Sequence, residues 1–131
     1  MTTERFERGL AARKAVLGDE YVERNLAGAD DFDREFQEVV TEFCWGLAWG
    51  DDVLSYRERS MINLGMIAAL GRMHEWELHF RGAITNGLTT DELRSILHQI
   101  TAYVGVPAGV ECFRIARRVF AELEAGEADG T

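Results

Sequence analysis

Apolar residues recur at helical spacing along almost the whole chain, and glycines or helix-capping motifs separate one apolar stretch from the next. Only one proline is present, Pro107, and no stretch shows the strong alternation of apolar and polar residues that is typical of a β-strand. Two capping boxes mark helix starts, Ser55 with Glu58 and Thr89 with Glu92. The pattern therefore predicts an all-α fold, a bundle of about six helices.

The length of the chain favours one domain. A chain of 131 residues suits a single hydrophobic core, and the sequence contains no visible repeat, low-complexity segment or second domain. We predict one domain over residues 1–131, in which residues 126–131 form a frayed tail. The predicted helices cover residues 3–17, 19–28, 34–49, 55–70, 72–86, 89–104 and 107–125, and the second of these is a short helix or a turn.

The net charge of −9 narrows the range of partners. Nucleic-acid binding needs clustered Lys and Arg, so we expect no nucleic acid as a partner. An anionic substrate would need a locally basic pocket. The apolar segments are too short and too interrupted for a membrane-spanning helix, and the charged N-terminus does not resemble a signal peptide.

The two cysteines, Cys44 and Cys112, are far apart in the sequence, and both lie among apolar residues. We predict buried free thiols in a reducing compartment, which points to the cytoplasm. No C-x-x-C motif is present, so the sequence offers neither a dithiol redox pair nor the ligands of a zinc knuckle.

Two of the predicted helices are apolar around nearly their whole circumference. Residues 61–70 carry Asn63 as their single polar side chain, and residues 93–106 are also rich in apolar side chains. A small monomer can enclose few helices completely, so this much apolar surface predicts a homo-oligomer.

The helix over residues 34–49 has two opposite faces that both carry large apolar or aromatic side chains. One is an apolar stripe, which we assign to the domain core. The opposite face carries Glu42, Trp45 and Trp49, and we expect these aromatic rings beside a carboxylate to meet a pocket or another subunit. A solvated carboxylate and ordinary core packing of the tryptophans are the alternatives. The stripe consists of Phe36, Val39, Val40, Phe43 and Leu47.

The segment HEWELH, residues 74–79, resembles the H-E-x-x-H zinc signature but is one residue longer. Its two histidines are five residues apart, about 140° around a helix, so they do not readily share a metal ion. We therefore predict no metal site. Arg72, Glu75 and His79 instead follow one another at intervals of three and four residues, which places them on one stripe of the helix.

An Arg–Glu–His stripe can bind and protonate an acid. Arg72 can hold a carboxylate by a bidentate contact, and His79 can carry a proton near neutral pH. Glu75 can set the tautomer and basicity of His79 or transfer a proton itself. A surface ladder of ion pairs with an incidental histidine is the alternative. His74 projects from another side of the helix, and a structural histidine is the default interpretation for it.

Five segments of the chain resemble the carboxymuconolactone decarboxylase family, and within it the 4-carboxymuconolactone decarboxylases of protocatechuate breakdown. The runs TEFCWG and HE…H-x-RGA-x-x-NG are the most specific parts of the likeness. The chain departs from the family at Met73, where the usual run has a proline before HE. The segments are RGLAARKAVLG (8–18), FQEVVTEFCWGLAWG (36–50), RSMINLGMIAAL (59–70), HEWELHFRGAITNGLTTDEL (74–93) and AYVGVPAGVECFRIA (102–116).

The resemblance implies an all-α fold of the alkylhydroperoxidase-D type and a homo-oligomer, a trimer or a hexamer built from trimers. It implies a cofactor-free decarboxylase that converts 4-carboxymuconolactone, a small lactone dicarboxylate, into 3-oxoadipate enol-lactone. Peroxidase relatives carry a C-x-x-C pair at the positions of Arg72 and Glu75, which counts against peroxidase activity here. Under this hypothesis the catalytic residues are His79, Glu75 and Glu42, and the substrate-binding residues are Arg72, Trp45, Trp49, His74 and Arg59.

Three other functions stay open at this point. A paralogue could decarboxylate or rearrange another lactone or a β-keto acid with the same residues and a reshaped pocket. A peroxidase-like oxidoreductase of the same fold would need a paired thiol, and Cys44 has no partner in the sequence. A non-catalytic oligomeric binding protein would use the charged stripe as an interface.

Overall fold

The structure is a computed structural model that describes residues 2–129, with side chains through residue 127. These residues form seven helices and no β-strand, so the all-α prediction is confirmed. No helix in this range combines the length and apolarity needed to cross a membrane. The helices are α1 (Glu4–Leu17), α2 (Asp19–Ala27), α3 (an α-helical part, Arg34–Val39, followed by a π-helical part, Val40–Trp49), α4 (Tyr56–Leu70), α5 (Met73–Thr85), α6 (Thr90–Val104) and α7 (Val106–Asp129).

Both predicted capping boxes are formed. The Ser55 amide donates to the Glu58 carboxylate at 2.8 Å, and the Glu58 amide donates to the Ser55 hydroxyl at 3.1 Å. Thr89 and Glu92 exchange the same two bonds at 2.9 and 3.1 Å. These motifs start α4 and α6 at the predicted places because each satisfies amide groups that a helix start leaves without partners.

The last helix extends beyond its predicted end. α7 continues to Asp129, four residues past the predicted stop at Ala125. Alanine and glutamate, which favour helices, prolong it past Gly126. Residues 130 and 131 of the predicted frayed tail lie outside the described residues.

The chain divides into two compact units, Met1–Arg59 and Ser60–Thr131. In the first unit, α1 packs against the π-helical part of α3. Gly9 and Gly46 lie where the two backbones meet: a Cβ atom at Gly9 would overlap the Thr41 carbonyl oxygen and lie 2.7 Å from the Gly46 nitrogen. Only residues without a side chain permit this approach. The core around it consists of Ala12, Val16, Trp45 and Trp49.

A buried arginine also ties α1 to α3. Arg13 is only 5% exposed, and its guanidinium donates to the Thr41 hydroxyl at 3.1 Å and to the Gln37 side-chain oxygen at 3.2 Å. Burial lowers the pKa of Arg13 below its ordinary value, because the charged form loses solvation. The sequence analysis did not identify Arg13 as a buried residue, although its position four residues after Gly9 places both residues on one face of α1.

The second unit holds the larger core. Trp76 and Phe80 of α5 are fully buried and stack with their ring centres 5.0 Å apart. The Trp76 indole N–H donates to the Leu64 carbonyl oxygen at 3.0 Å, so the polar atom of this large side chain has a partner. Phe120 of α7 meets Phe80 edge-on at 5.5 Å. Other buried members of this core are Leu93, Leu97, Ile100, Cys112, Ile115 and Val119.

The assignment of the two faces of α3 is wrong. Trp45 and Trp49 are 5% and 6% exposed and belong to the core, whereas Phe36, Phe43 and Leu47 of the predicted core stripe are 63%, 50% and 56% exposed. The prediction used the 3.6-residue period of an α-helix, but from Val40 onward the helix is of the π type, with i→i+5 bonds. The grouping of the side chains into two faces nevertheless holds, and the face that packs against α1 is the one with Thr41, Trp45 and Trp49.

The prediction for the cysteines is right for one of the two. Both thiols are free. Cys112 is buried, and burial raises its pKa to about 11. Cys44 is exposed, which contradicts the prediction, because it lies on the outward side of the π-helical part with Phe43 and Leu47.

The two helices that were predicted to be buried on nearly all sides are not enclosed within one chain. α4 exposes Ile62, Met66 and Leu70, and α6 exposes Tyr103 and Val104. The buried face of α4 is a narrow row that consists of Ser60, Leu64 and Ala68. A single copy of the chain therefore leaves a considerable apolar surface in water.

Candidate functional site

The predicted site residues fall into two groups, one in each compact unit. Each group has its own local geometry. Glu42, Trp45, Trp49 and Arg59 belong to the first unit, and Arg72, His74, Glu75 and His79 belong to the second.

The Arg–Glu–His stripe lies at the N-terminal end of α5. Arg72 immediately precedes the helix, and its carbonyl oxygen accepts from the Trp76 amide at 2.9 Å. Glu75 lies in the first turn, where a carboxylate interacts favourably with the helix dipole. Arg72 and Glu75 are exposed, whereas His79 is half-buried. Because Trp76 and Phe80 anchor α5 in the core, the direction of the stripe is fixed by packing.

The environment of His79 favours its neutral form. Burial lowers the pKa of His79 below its ordinary value of 6.5, and the negative charge of Glu75, one turn away, opposes this effect without reversing it. At neutral pH the imidazole is therefore mostly uncharged, with one N–H donor and one acceptor nitrogen. Such a ring can donate a hydrogen bond to a developing negative charge or relay a proton.

Replacement of Glu75 tests this electrostatic arrangement. Glu75→Gln removes the charge that raises the pKa of His79, so we expect the pKa of His79 to fall further below 6.5. The measurement is a ¹H–¹³C NMR titration of the His79 ring in both proteins. Glu111→Gln, an exposed carboxylate on α7, is the matched control and should leave the titration of His79 unchanged. An unchanged pKa in Glu75→Gln would show that the two side chains do not interact.

A buried hydrogen bond joins the end of α5 to the beginning of α4. The Asn86 side-chain N–H donates to the Ser60 hydroxyl at 2.8 Å, and Ser60 is 1% exposed. The sequence analysis did not identify Ser60. A signal was present, since Ser60 precedes Leu64 by four residues and therefore lies on the buried face of α4.

In the first unit, Glu42 lies beside the start of α1. Its carboxylate accepts from the Thr3 hydroxyl at 3.3 Å, and Thr3 is the N-cap residue of α1. The predicted catalytic role of Glu42 stays a prediction.

The two tryptophans form a stacked pair with ring centres 5.0 Å apart. Trp49 also meets Tyr56 at 5.8 Å and lines a surface cavity of about 400 Å³ together with Arg8. Trp45 and Trp49 are therefore well-packed core residues, and Trp49 has an edge on a cavity. Their predicted role as substrate-binding residues stays a prediction.

The prediction that Arg59 and His74 bind substrate stays a prediction. The Arg59 guanidinium donates to the backbone oxygen of Asp51 at 3.0 Å and to its carboxylate at 3.2 Å, which ties it to the loop before α4. His74 is exposed and lies in the first turn of α5. Among the residues that the structure describes, no three His, Cys, Asp or Glu side chains are grouped to hold a metal ion.

Comparison of the sequence with known protein families places the all-α chain in one of them. The model of the carboxymuconolactone decarboxylase family matches residues 34–118, which is more than half of the chain. The chain belongs to this family. The resemblance noted from the five sequence segments is thereby confirmed, and with it the all-α fold of the alkylhydroperoxidase-D type.

Curated relatives that match the chain are decarboxylases. The 4-carboxymuconolactone decarboxylase of Acinetobacter baylyi is 35% identical over 120 residues, which cover 92% of this chain and 90% of that protein. The nitrosuccinic acid decarboxylase of Metarhizium robertsii is 37% identical over 118 residues, which cover 90% of this chain and 82% of that protein. A 4-carboxymuconolactone decarboxylase of Pseudomonas putida is 44% identical over 43 residues, 33% of this chain and 90% of that protein.

Proposed function

We propose that this protein decarboxylates 4-carboxymuconolactone to 3-oxoadipate enol-lactone in protocatechuate breakdown, with no cofactor. The coarser conclusion, that the chain is a carboxy-lyase, follows from its family and from the names of its relatives. The observation that carries the proposal is the half-buried His79 one turn from Glu75 and close in sequence to Arg72. The similarity to the Acinetobacter enzyme along 92% of the chain supports the choice of substrate. The two free thiols support a cytoplasmic location.

The reaction needs an electron acceptor, and the substrate itself contains one. When the bond to the ring carboxylate breaks, carbon dioxide leaves and the electron pair moves through the ring double bond to the lactone carbonyl. The intermediate is a dienolate with negative charge on oxygen. Protonation at the ring carbon beside the carbonyl gives the enol-lactone. The protein therefore has to bind a dianion, exclude water from the departing carboxylate and stabilise the dienolate oxygen.

The residues of α5 can supply these functions. Arg72 binds a substrate carboxylate by paired N–H donors, and the helix N-terminus adds partial positive charge beside it. The neutral imidazole of His79 donates a hydrogen bond to the dienolate oxygen, or the ring in its protonated form delivers the proton and is left neutral. Glu75 orients His79 and holds its N–H in the required tautomer. The local positive charge at Arg72 offsets the overall charge of −9, which would otherwise repel a dianion.

Replacement of Arg72 tests substrate binding. Arg72→Gln removes the charged pair of donors, so we expect KM to rise by about 10- to 100-fold, which corresponds to the loss of about 1.5–3 kcal/mol from a hydrogen bond to a charged group. Initial rates over a range of lactone concentrations measure the change. Arg24→Gln on α2, also an exposed arginine, is the control and should leave KM unchanged. An unchanged KM in Arg72→Gln would remove Arg72 from the binding site.

Nitrosuccinic acid is a second candidate substrate, because the Metarhizium relative is 37% identical over 90% of the chain. By its structure this compound is also a dicarboxylate with an electron acceptor beside the departing carboxylate. Here the nitro group takes the electron pair as a nitronate, and the carbon is then protonated. The same three residues could serve both reactions, since each produces an anion whose charge rests on oxygen.

The deciding experiment offers the purified protein both acids in the presence of EDTA. The lactone is generated in the assay from protocatechuate with the upstream dioxygenase and cycloisomerase, and carbon dioxide release and product formation are followed. We expect turnover of the lactone to exceed turnover of nitrosuccinate. If the protein turns over nitrosuccinate faster, nitrosuccinate replaces the lactone as the proposed substrate. If it turns over neither acid, another lactone or a β-keto acid becomes the better candidate. Reduction of cumene hydroperoxide with a dithiol would instead favour a peroxidase.

We also propose that the protein is a homo-oligomer, a trimer or a hexamer. The exposed apolar side chains of α3 and α4 support this, since a monomer rarely leaves so many large apolar groups in water. Light scattering coupled to size-exclusion chromatography measures the mass. A monomer at micromolar concentration would contradict the proposal and would also weaken the interpretation of these faces as interfaces.

A further inference from the structure

In the second unit, α4 and α5 form a helical hairpin that is joined at both ends. At one end the chain itself joins the two helices, because only Gly71 and Arg72 lie between them. At the other end the Asn86 side-chain N–H donates to the Ser60 hydroxyl at 2.8 Å. Asn86 directly follows the last residue of α5, so this hydrogen bond closes the end of the hairpin that the chain leaves open.

Side chains make most of the contact between these two helices. Few backbone positions of α4 and α5 approach each other closely, whereas α5 packs directly on α7. The Trp76 indole N–H donates to the Leu64 carbonyl oxygen at 3.0 Å, nearer to the linked end of the hairpin. This bond and the Ser60–Asn86 bond lie at different distances from the link. Together they fix the angle between α4 and α5, which one bond alone cannot do.

His79 lies between these two bonds along α5. It follows Trp76 by three residues and precedes Asn86 by seven. Seven residues make about two helical turns, so Asn86 continues the stripe that carries Glu75 and His79. A rotation of α5 that turns His79 away would therefore also pull Asn86 away from Ser60.

Ser60 is a polar residue in a row that is otherwise apolar. The buried face of α4 consists of Ser60, Leu64 and Ala68, and alanine at position 60 would fill the same row without a polar group. Ser60 is 1% exposed, so its hydroxyl lies behind the stripe, out of reach of a substrate. Apolar contacts have no preferred direction, whereas a hydrogen bond requires a defined distance and angle. The buried bond therefore specifies an orientation that the apolar row alone would leave open.

We infer that Ser60 and Asn86 are positioning residues, whose hydrogen bond fixes the direction in which α5 presents the His79 ring to the substrate. The inference rests on the proposed decarboxylation, because that reaction places His79 at the reacting atoms. Without the bond, α5 can pivot about its linked end, and the displacement grows with distance from the link. His79 then moves more than Arg72, which lies in the link itself. The bond therefore serves the chemical step more than it serves binding of the substrate carboxylate.

Removal of either partner tests this role. Ser60→Ala and Asn86→Ala each abolish the bond, so we expect kcat for the acid that the wild type prefers to fall by about 10- to 100-fold, with KM within about twofold of its wild-type value. S60A/N86A should lose no more than either single variant, because both substitutions remove the same interaction. Ile100→Val is the matched control, since it removes one methyl group from the same core on α6. It should lower the stability and keep the wild-type kcat.

A second readout needs no substrate. The ¹H–¹³C NMR signals of the His79 ring should shift in Ser60→Ala and in Asn86→Ala and stay in place in Ile100→Val. The pKa of His79 should also move closer to 6.5 in the first two variants, because burial lowers it and a less firmly held ring is better solvated. Circular dichroism checks that each variant is folded.

The two readouts separate failure of this inference from failure of the proposed function. Wild-type protein that turns over neither acid would reject the proposed function, and the His79 signals would then decide by themselves whether the bond positions the ring. The inference is overturned if the folded variants keep the wild-type kcat, or if Ile100→Val lowers kcat as much as they do. It is also overturned if the His79 signals do not move, because the bond would then act on something other than this ring.

Discussion

His79→Ala is expected to lower kcat for 4-carboxymuconolactone by about 10²- to 10⁴-fold, the range typical for loss of a general acid or base. The substitution removes the only imidazole of the α5 stripe, the group proposed to donate to the dienolate oxygen. Part of the His79 side chain is exposed, so the helix should tolerate alanine, and circular dichroism and light scattering check that it does. Single-turnover rates with saturating lactone measure the chemical step separately from product release.

A pair of further variants separates the roles of the imidazole. His79→Gln keeps an N–H donor without a group that titrates near neutral pH, so partial activity would assign His79 to hydrogen bonding and full loss would assign it to proton transfer. His98→Ala removes an exposed imidazole on α6 and should retain wild-type turnover. Near-normal activity in His79→Ala would remove His79 from the mechanism.

The pH dependence of kcat also distinguishes hydrogen bonding by His79 from proton transfer by it. Burial lowers the pKa of His79, so the neutral ring dominates at neutral pH. If the neutral ring is the donor, kcat should stay constant as the pH rises from just above the lowered pKa of His79 to neutral pH. A rate that declines as the pH rises through the pKa would instead require the protonated ring as the acid.

The parts of the fold that depend on local signals could be predicted from the sequence. Ser55 and Thr89 start helices because their side chains and the following glutamates satisfy the amide groups of the first turn, a requirement that a few residues meet alone. Gly18, with its positive φ of 95°, likewise ends α1 where predicted. Which face of α3 is buried could not be predicted in the same way, because it depends on the packing of Val40–Trp49 against α1, a contact between distant segments.

In the candidate site, too, features set by local spacing could be predicted, whereas features set by distant contacts could not. The stripe on α5 was predictable because α5 is a regular α-helix, in which an interval of four residues places Glu75 beside His79. The burial of Ser60 and Arg13 depends on contacts with distant parts of the chain, such as Asn86 and Thr41. Local spacing places both residues on the buried faces of their helices, but it does not show these distant partners.

Gly9→Ala is expected to destabilise the first unit by about 3 kcal/mol, the upper end of the usual cost of overpacking. The added methyl group would overlap the Thr41 carbonyl oxygen and lie 2.7 Å from the Gly46 nitrogen. These are backbone atoms, which cannot turn aside as the end of a flexible side chain can. To make room, α1 has to move away from the π-helical part of α3, and the packing of Trp45 and Trp49 is lost with it.

Gly65→Ala is the matched control because the same chemical change takes place in a different environment. A Cβ atom at Gly65, inside α4, has no neighbour within 4 Å, so alanine there should stabilise the helix by about 0.5–1 kcal/mol. Urea unfolding of both variants at one protein concentration measures the difference, since oligomerisation makes apparent stability depend on concentration. Opposite signs at the two positions would show that α1 and α3 meet backbone to backbone. A stabilising effect at Gly9 as well would mean that the helices are further apart, and the burial of the tryptophans would then need another cause.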